Sequence, residues 1–572
     1  MNRSAARARL VWALALAALA ALWFGGLEWR GLFQPDEGRY AEIPREMLAS
    51  GDWVTPRLNG LKYFEKPPLQ YWATAAAFAA FGRDEWTARL WPAVTGFLGI
   101  LVLALAGRRL GPPGAGPIAG LVLASSVGYF LAGQILTLDM GLSCFFCAAM
   151  CCFLLSQHAP PGSRDARRWM LAAWASMALA VLAKGLVGLV LPGLALSAYV
   201  VLQRDWALWR RLEWARGAGV FLLIALPWHV LAQWRNPEFF RIYILNEHFA
   251  RYLLPEHHRP GAWWYFTAIL AIALIPWVAL LPGVLRRLPA RAPDRAFDID
   301  RFLLVWAGTI LVFFSASASK LPGYIIPAMP AIALLIGRDV ARRGALDASR
   351  PGLLLAFCGA AALAFGVPAL VRAEVLGDIA IDYLPWLALG AFALVTGGFI
   401  AWVLRGTPGV GPALALAFAS LAGTQVITVG LHEVDTQYSS EAFAERLLGE
   451  ETDFSPDPPF YSVGYFDDSL AFYLGRTLTL VAYKGELAPG IAAEPDKYVG
   501  SLEEFRRLWT AQGQAYAVMQ PPLYARLRAQ GLPMSVLALD LRRVVVAREP
   551  GNPPLRPRKR AVLESILGLH DG

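Results

Sequence analysis

The chain has 572 residues, of which 56% are hydrophobic and only 17% are charged, with a mean hydropathy of +0.44. So little polar surface cannot cover a water-soluble globule, and the composition therefore predicts an integral membrane protein. The formal net charge of +9 comes mostly from arginines in short segments between apolar runs, which indicates membrane topology and argues against nucleic-acid binding.

Thirteen predominantly apolar segments follow one another between residues 10 and 430, most of them close to the ~18 residues that a membrane span needs. They predict an all-α polytopic membrane protein with about thirteen transmembrane helices. The segments are residues 10–27, 90–106, 117–133, 135–155, 169–183, 186–202, 217–233, 263–282, 302–319, 323–337, 352–371, 383–404 and 411–430. No small-residue cleavage site follows the first segment, so we expect that segment to be retained.

All five cysteines lie inside two of these apolar segments. Cysteine in an apolar helix is usually a small buried hydrophobic residue, so we expect neither a disulfide framework nor a metal or redox site from them. They are Cys144, Cys147, Cys151, Cys152 and Cys358.

Arginines mark the N-terminus and the connection after every second apolar segment. By the positive-inside rule these connections are cytoplasmic, so the N-terminus is cytoplasmic and everything after residue 430 lies outside. A crossing at residues 69–82 would invert this pattern, and we therefore predict a juxtamembrane or partly inserted helix there.

Residues 1–431 thus form the predicted transmembrane domain, and residues 432–549 differ from it in character. Their higher charge and short β-rich runs predict a small external α/β domain. The runs are Phe460–Phe466, Thr477–Tyr483, Ala515–Met519 and Val536–Ala547. Ser501 with Glu504 predicts a capping box, and Ser439 or Ser440 is a candidate cap for another helix. Residues 550–572 form a basic tail.

The longest polar connection among the spans, residues 28–89, carries an unusual number of ionisable groups at the predicted outer boundary. Its two clusters contain Asp36, Glu37 and Arg39, then Tyr63, Glu65 and Lys66. Charges are costly at this depth unless they bind a polar ligand or one another. The loop is therefore either part of a binding site or a set of mutually compensating ion pairs.

The predicted topology sends polar residues from four further connections to the same face. They are Asp139, Lys184, the pair His248 and Arg251, and Tyr324. Convergence of distant segments on one face is how helical membrane proteins assemble a site.

Each residue type suggests a chemical role. The cations Lys66, Lys184 and Arg251, with the hydroxyls of Tyr63 and Tyr324, suit a phosphate at the lipid headgroup level, and Arg39 is grouped with them. The carboxylates Asp36, Glu37 and Asp139 suit a polar or cationic sugar, or an activated nucleophile. Glu65 with His248 is a candidate pair of ligands for a divalent ion such as zinc, although two ligands are a weak signal.

Six stretches together resemble the bacterial aminoarabinose transferase family. They are PDEGRYAEIPREML at 35–48, NGLKYFEKPPLQYW at 59–72, LDM at 138–140, AKG at 183–185, NEHFARY at 246–252 and KLPGY at 320–324. Members of that family are polytopic glycosyltransferases of the C-type superfamily, related to protein O-mannosyltransferases and oligosaccharyltransferases. The resemblance extends over the thirteen predicted spans and into the external domain.

This resemblance implies transfer of 4-amino-4-deoxy-L-arabinose from undecaprenyl phosphate to lipid A, at the periplasmic face of the bacterial inner membrane. The modification would confer resistance to polymyxin and other cationic peptides. By the same motifs, Lys66, Arg251, Tyr63 and Tyr324 would hold the carrier phosphate, and Glu65 and His248 would be candidate metal ligands. Asp36 would be the active-site acid at the end of the first span. We expect a monomer embedded in the bilayer, with no nucleic-acid partner.

Two rival functions remain open on the sequence. A protein O-glycosyltransferase of the same superfamily would share the architecture and use a peptide acceptor. A transporter of lipid-linked sugar would bind the donor without chemistry, but transporters place polar sites near the bilayer midplane and often show inverted repeats, which are not evident here.

Overall fold

A computed structural model describes residues 3–250, 261–288, 297–372, 377–407, 409–449, 454–455 and 457–548, without the side chains of residues 3–9, 248–250, 377–378 and 436. Contacts divide the chain into two compact units. The first unit comprises residues 1–29, 65–73 and 86–431, and the second comprises residues 30–64, 74–85 and 432–572.

The first unit is helical. Within the described residues, eight helices are long and apolar enough to cross a membrane, and ten if each of two bent pairs is one span. The eight are Glu85–Leu110, Asp139–His158, Trp214–Arg235, Ile299–Ala316, Pro322–Arg343, Ser349–Val371, Ile379–Gly406 and Gly411–Val434. The chain is therefore a multi-pass membrane protein, as its composition predicts.

Every one of the thirteen predicted spans coincides with a helix or a bent pair. The bent pairs are Ala115–Ser125 with Val127–Gly133, at 69°, and Tyr265–Ala273 with Trp277–Arg286, at 103°. The three remaining segments are the helices Arg3–Phe24, Arg164–Lys184 and Val187–Gln203. The apolar part of the first, Leu10–Phe24, and the third are shorter than a full span.

Small residues allow the helices of the first unit to approach closely. A Cβ on Gly107 would lie 2.7 Å from the Cα of Gly116, and one on Gly337 would lie 2.5 Å from the carbonyl oxygen of Ala115. Such contacts favour helix association in a bilayer, where the hydrophobic effect between helices is absent. Cys144, Cys147 and Cys151 are buried, as predicted for cysteines of an apolar helix, and Cys152 and Cys358 are partly buried.

The second unit joins residues 30–64 to the C-terminal segment. It contains the helix Asp36–Ser50, a small hairpin of Arg57–Leu58 with Leu61–Lys62, and a six-stranded mixed sheet. In spatial order the strands are Tyr498–Val499, Thr479–Val481, Phe460–Val463, Tyr516–Met519, Val544–Ala547 and Ser535–Leu539. The first four are mutually parallel, and the fifth is antiparallel to both of its neighbours.

Helices connect or flank these strands and give the predicted α/β character. They are Asp435–Tyr438, Glu441–Leu448, Asp468–Leu474, Ala488–Ala493, Leu502–Ala511 and Pro521–Ala529. The segment predicted to lie along the membrane forms the helix Leu69–Phe81. The other helices of the described residues are Phe240–Ala250, of π type, and the 3₁₀ turns Trp206–Arg211, Gly485–Leu487 and Pro495–Lys497.

The two predicted caps have different outcomes. Ser501 accepts a hydrogen bond from the Glu504 amide at 3.2 Å, as predicted, while the Glu504 carboxylate binds the Gly500 amide at 3.1 Å instead of the amide of Ser501. At the other helix, Ser440 makes no side-chain cap and its hydroxyl donates to Asp467 at 2.8 Å, whereas the Ser439 hydroxyl accepts a hydrogen bond from the Glu441 amide at 3.2 Å.

Candidate functional site

A cavity of about 130 Å³ within the first unit contains four of the residues singled out in the sequence, namely Glu65, Lys66, Lys184 and Tyr324. We call it the two-lysine cavity. Its lining is Glu65, Lys66, Leu142, Lys184, Val187, Glu247, Phe313, Phe314, Ser317, Ser319 and Tyr324. Its volume is several times the ~10–15 Å³ that one water needs, so a group larger than water fits.

Two helix ends position Lys184 of this cavity and its partner Asp139. Asp139 is the first residue of the helix Asp139–His158, and Lys184 is the last residue of Arg164–Lys184. An acid at a helix N-terminus and a base at a C-terminus both interact favourably with the helix dipole. Gly185 ends the second helix at a φ of 94°, a conformation that favours glycine.

Both lysines are held by carboxylates. Lys66 donates to Glu247 at 3.0 Å and lies 3.9 Å from the Glu65 carboxylate. Lys184 forms an ion pair with Asp139. All five side chains are less than one-fifth exposed, so the ammonium groups are confined and largely shielded from water.

An aromatic wall supports the second lysine. The Lys184 ammonium lies 5.0 Å from the centre of the Tyr324 ring, within the range of a cation–π contact. The Phe314 ring packs against Tyr324 with centroids 4.9 Å apart, which fixes that ring. A Cβ on Gly323 would meet the Asp139 carboxylate at 2.7 Å, so glycine leaves room for the ion pair.

Ser319 brings an unsatisfied hydroxyl to the cavity. Its Oγ is buried, and the described part of the chain offers it no hydrogen-bond partner. Because a buried hydroxyl without a partner is costly, its presence beside two ammonium groups suits a polar ligand. Together these donors could hold a compact anion.

Sequence reasoning assigned no role to Glu247, Ser317 or Ser319. Glu247 stands directly before His248 in a motif already noted, and the two serines precede Lys320 in the stretch SASASK. Lys320 itself points to the backbone, donating to the carbonyl oxygens of Ser315 at 2.9 Å and Ser317 at 3.2 Å. It thereby holds the turn that carries the serines.

Four other predicted residues belong to the second unit. Asp36 is the first residue of the helix Asp36–Ser50, and its side chain is 53% exposed. Glu37 is buried and accepts two hydrogen bonds from Arg30, at 2.5 and 3.2 Å, a geometry that suits holding the helix start. Tyr63 is buried as well.

Arg39 lies between two carboxylates of the second unit. Its guanidinium is 2.6 Å from Glu486 and 3.4 Å from Asp36. Burial tends to lower the pKa of Arg39, but Tyr63, Glu486 and other nearby acidic groups outweigh it and raise the pKa well above its usual value. Arg39 is therefore a permanent cation whose charge is already shared.

The predicted metal pair is only half described. Glu65 lines the two-lysine cavity, whereas the side chain of His248 and all of Arg251 lie outside the described residues. Among the described side chains, no group of three or more histidines, cysteines or carboxylates could hold a metal ion. Glu65 alone, with an ammonium 3.9 Å away, does not make a metal site.

Two family descriptions match parts of the chain. The aminoarabinose transferase C-terminal domain matches residues 450–548, and the dolichyl-phosphate-mannose-protein mannosyltransferase family matches residues 10–243. The first match covers all six strands of the mixed sheet of the second unit.

Curated relatives carry the name undecaprenyl phosphate-alpha-4-amino-4-deoxy-L-arabinose arabinosyl transferase. One from Pseudomonas paraeruginosa is 34% identical over 60% of this chain and 61% of its own length. Another relative, from Sodalis glossinidius, carries the same name followed by the number 2. It is 32% identical over 64% of this chain and 69% of its own length. The chain thus spans about three-fifths of the Pseudomonas protein that it matches.

A solved structure matches almost from end to end. ArnT from Cupriavidus metallidurans, crystallised with undecaprenyl phosphate bound, is 38% identical with a TM-score of 0.87. The match covers 95% of this chain and 99% of that protein.

Proposed function

The chain belongs to the aminoarabinose transferase family, and we propose that it transfers 4-amino-4-deoxy-L-arabinose from undecaprenyl phosphate to a phosphate of lipid A. The observation that carries this proposal is the match, over 99% of its length, to a protein crystallised with undecaprenyl phosphate. The two-lysine cavity supports it, because confined ammonium groups and a hydroxyl suit a lipid-linked phosphate.

The reaction breaks the bond between the sugar's anomeric carbon and the carrier phosphate and forms a bond to a lipid A phosphate oxygen. The departing undecaprenyl phosphate gains negative charge in an oxocarbenium-like transition state. We assign stabilisation of that charge to Lys66, Lys184, Tyr324 and the hydroxyl of Ser319. Donors fixed in advance, in a site with little water, stabilise such a charge at low reorganisation cost.

One carboxylate of the cavity, Glu247, and one beside it, Asp139, hold these cations ready. Glu247 and Asp139 keep Lys66 and Lys184 in place before the donor arrives, and a bound phosphate shares or replaces their contacts. Arg251 is proposed to add a further cation, on the motif alone.

Asp36 needs no strong basicity in this scheme. A lipid A phosphate is already anionic and nucleophilic, whereas a serine or threonine hydroxyl needs a base to remove its proton. We therefore assign Asp36 to orienting the sugar or pairing with its ammonium group, a role that rests on its motif. No step is assigned to a metal ion, although zinc at Glu65 and His248 stays a prediction.

The second candidate is protein O-glycosylation, which the mannosyltransferase match over residues 10–243 favours. It has the same donor chemistry and differs in the acceptor. Both functions place the reaction outside the cytoplasm, and we propose the periplasmic face of the inner membrane, with a cytoplasmic N-terminus. Reduced lipid A charge would then give resistance to polymyxin and related peptides.

Incubation of the purified protein with undecaprenyl-linked aminoarabinose and lipid A tests this function, with mass spectrometry of the lipid A as the readout. We expect a gain of one aminopentose per modified phosphate and a weaker gain with Asp36→Asn. Unchanged lipid A with folded protein and intact donor would contradict the proposal. Hydrolysis of the donor without transfer would reject lipid A as the acceptor, and a peptide acceptor should then be tried.

A further inference from the structure

Glu486 and Arg39 connect the C-terminal segment to the first turn of the helix Asp36–Ser50. Glu486 lies in the short turn Gly485–Leu487, 447 positions after Arg39, and its carboxylate is 2.6 Å from the guanidinium. The two side chains are 28% and 10% exposed. This pair is thus more buried than a typical surface salt bridge, which contributes little.

The same guanidinium reaches Asp36. Asp36 precedes Arg39 by three positions on one helix face, and their charged atoms are 3.4 Å apart. Arg39 is therefore shared between a carboxylate of the C-terminal segment and a carboxylate of the outer loop. The position of the Arg39 guanidinium relative to Asp36 therefore depends on its ion pair with Glu486.

A third carboxyl group, that of Asp468, interacts electrostatically with Arg39, Glu486 and Asp36. Asp468 is buried, and burial raises its pKa well above the usual value, although Arg39 opposes the shift.

Further contacts hold the first turn of the helix Asp36–Ser50 against the C-terminal segment. A Cβ on Gly38 would lie 2.6 Å from the backbone nitrogen of Ser469. The side-chain amide of Gln34 donates to Asp467 and, at 3.0 Å, to Ser469. The turn that carries Asp36 therefore has few ways to move while these contacts last.

We propose that Glu486 is a positioning residue for Asp36: by holding Arg39 it sets the orientation of the Asp36 carboxylate, so the C-terminal segment takes part in the reaction through this chain of contacts. The proposal rests on the proposed function, in which Asp36 orients the sugar. Arg39 then serves Asp36 and not the donor phosphate.

The test compares Glu486→Gln with Glu494→Gln in the full-length protein. Glu494 makes an equivalent link between the C-terminal segment and the loop, 2.9 Å from Arg57, but it lies in the turn beside the hairpin and not at the first turn of Asp36–Ser50. Hydrogen–deuterium exchange should rise at residues 36–40 in Glu486→Gln and only near residues 57–62 in Glu494→Gln. This readout does not depend on activity.

Turnover supplies the second readout. We expect Glu486→Gln to lower kcat about tenfold, the scale of a modest misplacement of a reacting group, with KM for the donor little changed and Glu494→Gln close to wild type. Combined with Asp36→Asn, Glu486→Gln should add little further loss, because its effect passes through Asp36.

Each outcome has one meaning. An equal loss from Glu486→Gln in the presence and absence of Asp36→Asn would overturn the proposal, since a general structural defect lowers activity in both backgrounds. Unchanged exchange at residues 36–40 would also overturn it. If Glu486→Gln raises exchange at residues 36–40 but the wild-type protein transfers no sugar, the result would instead reject the proposed function.

Discussion

Lys66 is the cation whose contribution can be measured most directly. It lies inside the two-lysine cavity and is held by Glu247 at 3.0 Å. Since removing one well-placed charge-stabilising donor typically costs about 10²-fold or more in turnover, we expect Lys66→Ala to lose at least that much. Steady-state transfer assays on purified protein measure the loss.

The matched control is Lys497→Ala. Lys497 is an exposed lysine that pairs with Glu494 in the second unit, so its loss should leave turnover unchanged. Activity of Lys66→Ala within a few-fold of wild type would remove Lys66 from its assigned role.

At this scale the sequence singled out Lys66, Lys184, Tyr324 and Asp139, the partner of Lys184, but not Glu247 or Ser319. Lys66, Lys184 and Tyr324 stand out because charges and hydroxyls at a membrane boundary need a reason to be there. Glu247 and Ser319 could not be recognised, because their importance depends on their surroundings. Glu247 binds Lys66, and the Ser319 hydroxyl has no hydrogen-bond partner among the described residues.

The helix Asp36–Ser50 offers a test at the scale of one element. Gly38→Ala adds a methyl group that meets the Ser469 backbone at 2.6 Å, and backbone cannot move aside as a flexible side chain can. We expect a loss of about 1–3 kcal/mol in stability, as for other overpacked sites, with reduced transfer because Asp36 moves with its helix. Thermal unfolding of the protein in detergent measures the loss of stability.

Gly308→Ala is the control for that change. Gly308 also lies within a helix, Ile299–Ala316, but a Cβ there meets nothing within 4 Å. Equal melting temperatures for the two variants would show that the helix Asp36–Ser50 is not held against Ser469.

Element positions were largely predictable and element details were not. Apolar segment length located the membrane helices, but the 69° bend at Ser126 has no counterpart in hydrophobicity. The run Val536–Ala547 was predicted as one β-rich stretch, and it forms two antiparallel strands joined by a turn at Asp540. The Asp540 carboxylate accepts from the Arg542 and Arg543 amides, both at 2.8 Å, which stabilises that turn.

Orientation in the membrane is a property of the whole molecule. The arginine pattern predicts that Arg210 faces the cytoplasm and that Lys497 lies outside. Cysteines introduced as Arg210→Cys and Lys497→Cys should therefore react differently with a membrane-impermeant maleimide. In intact spheroplasts only position 497 should be labelled, with position 210 labelled after lysis.

The unsubstituted protein serves as the blank, because its five cysteines lie in helices and three of them are buried. Labelling of position 210 in intact spheroplasts would show that the topology is the reverse of the predicted one. The proposed reaction would then lie on the cytoplasmic face.

The second unit combines residues 30–64 with residues 432–548, which the ribosome synthesises much later. At about 5–20 residues per second, the ribosome needs roughly 20–80 s to go from one segment to the other. During that interval the Arg30–Glu37 pair can form, but Arg39 still lacks Glu486, and Asn59 lacks the Leu478 backbone that it binds at 2.6 Å. The contacts that fix the helix carrying Asp36 are thus completed only after residues 478–486 have been synthesised, and a nascent chain that has not reached them lacks the Arg39–Glu486 pair.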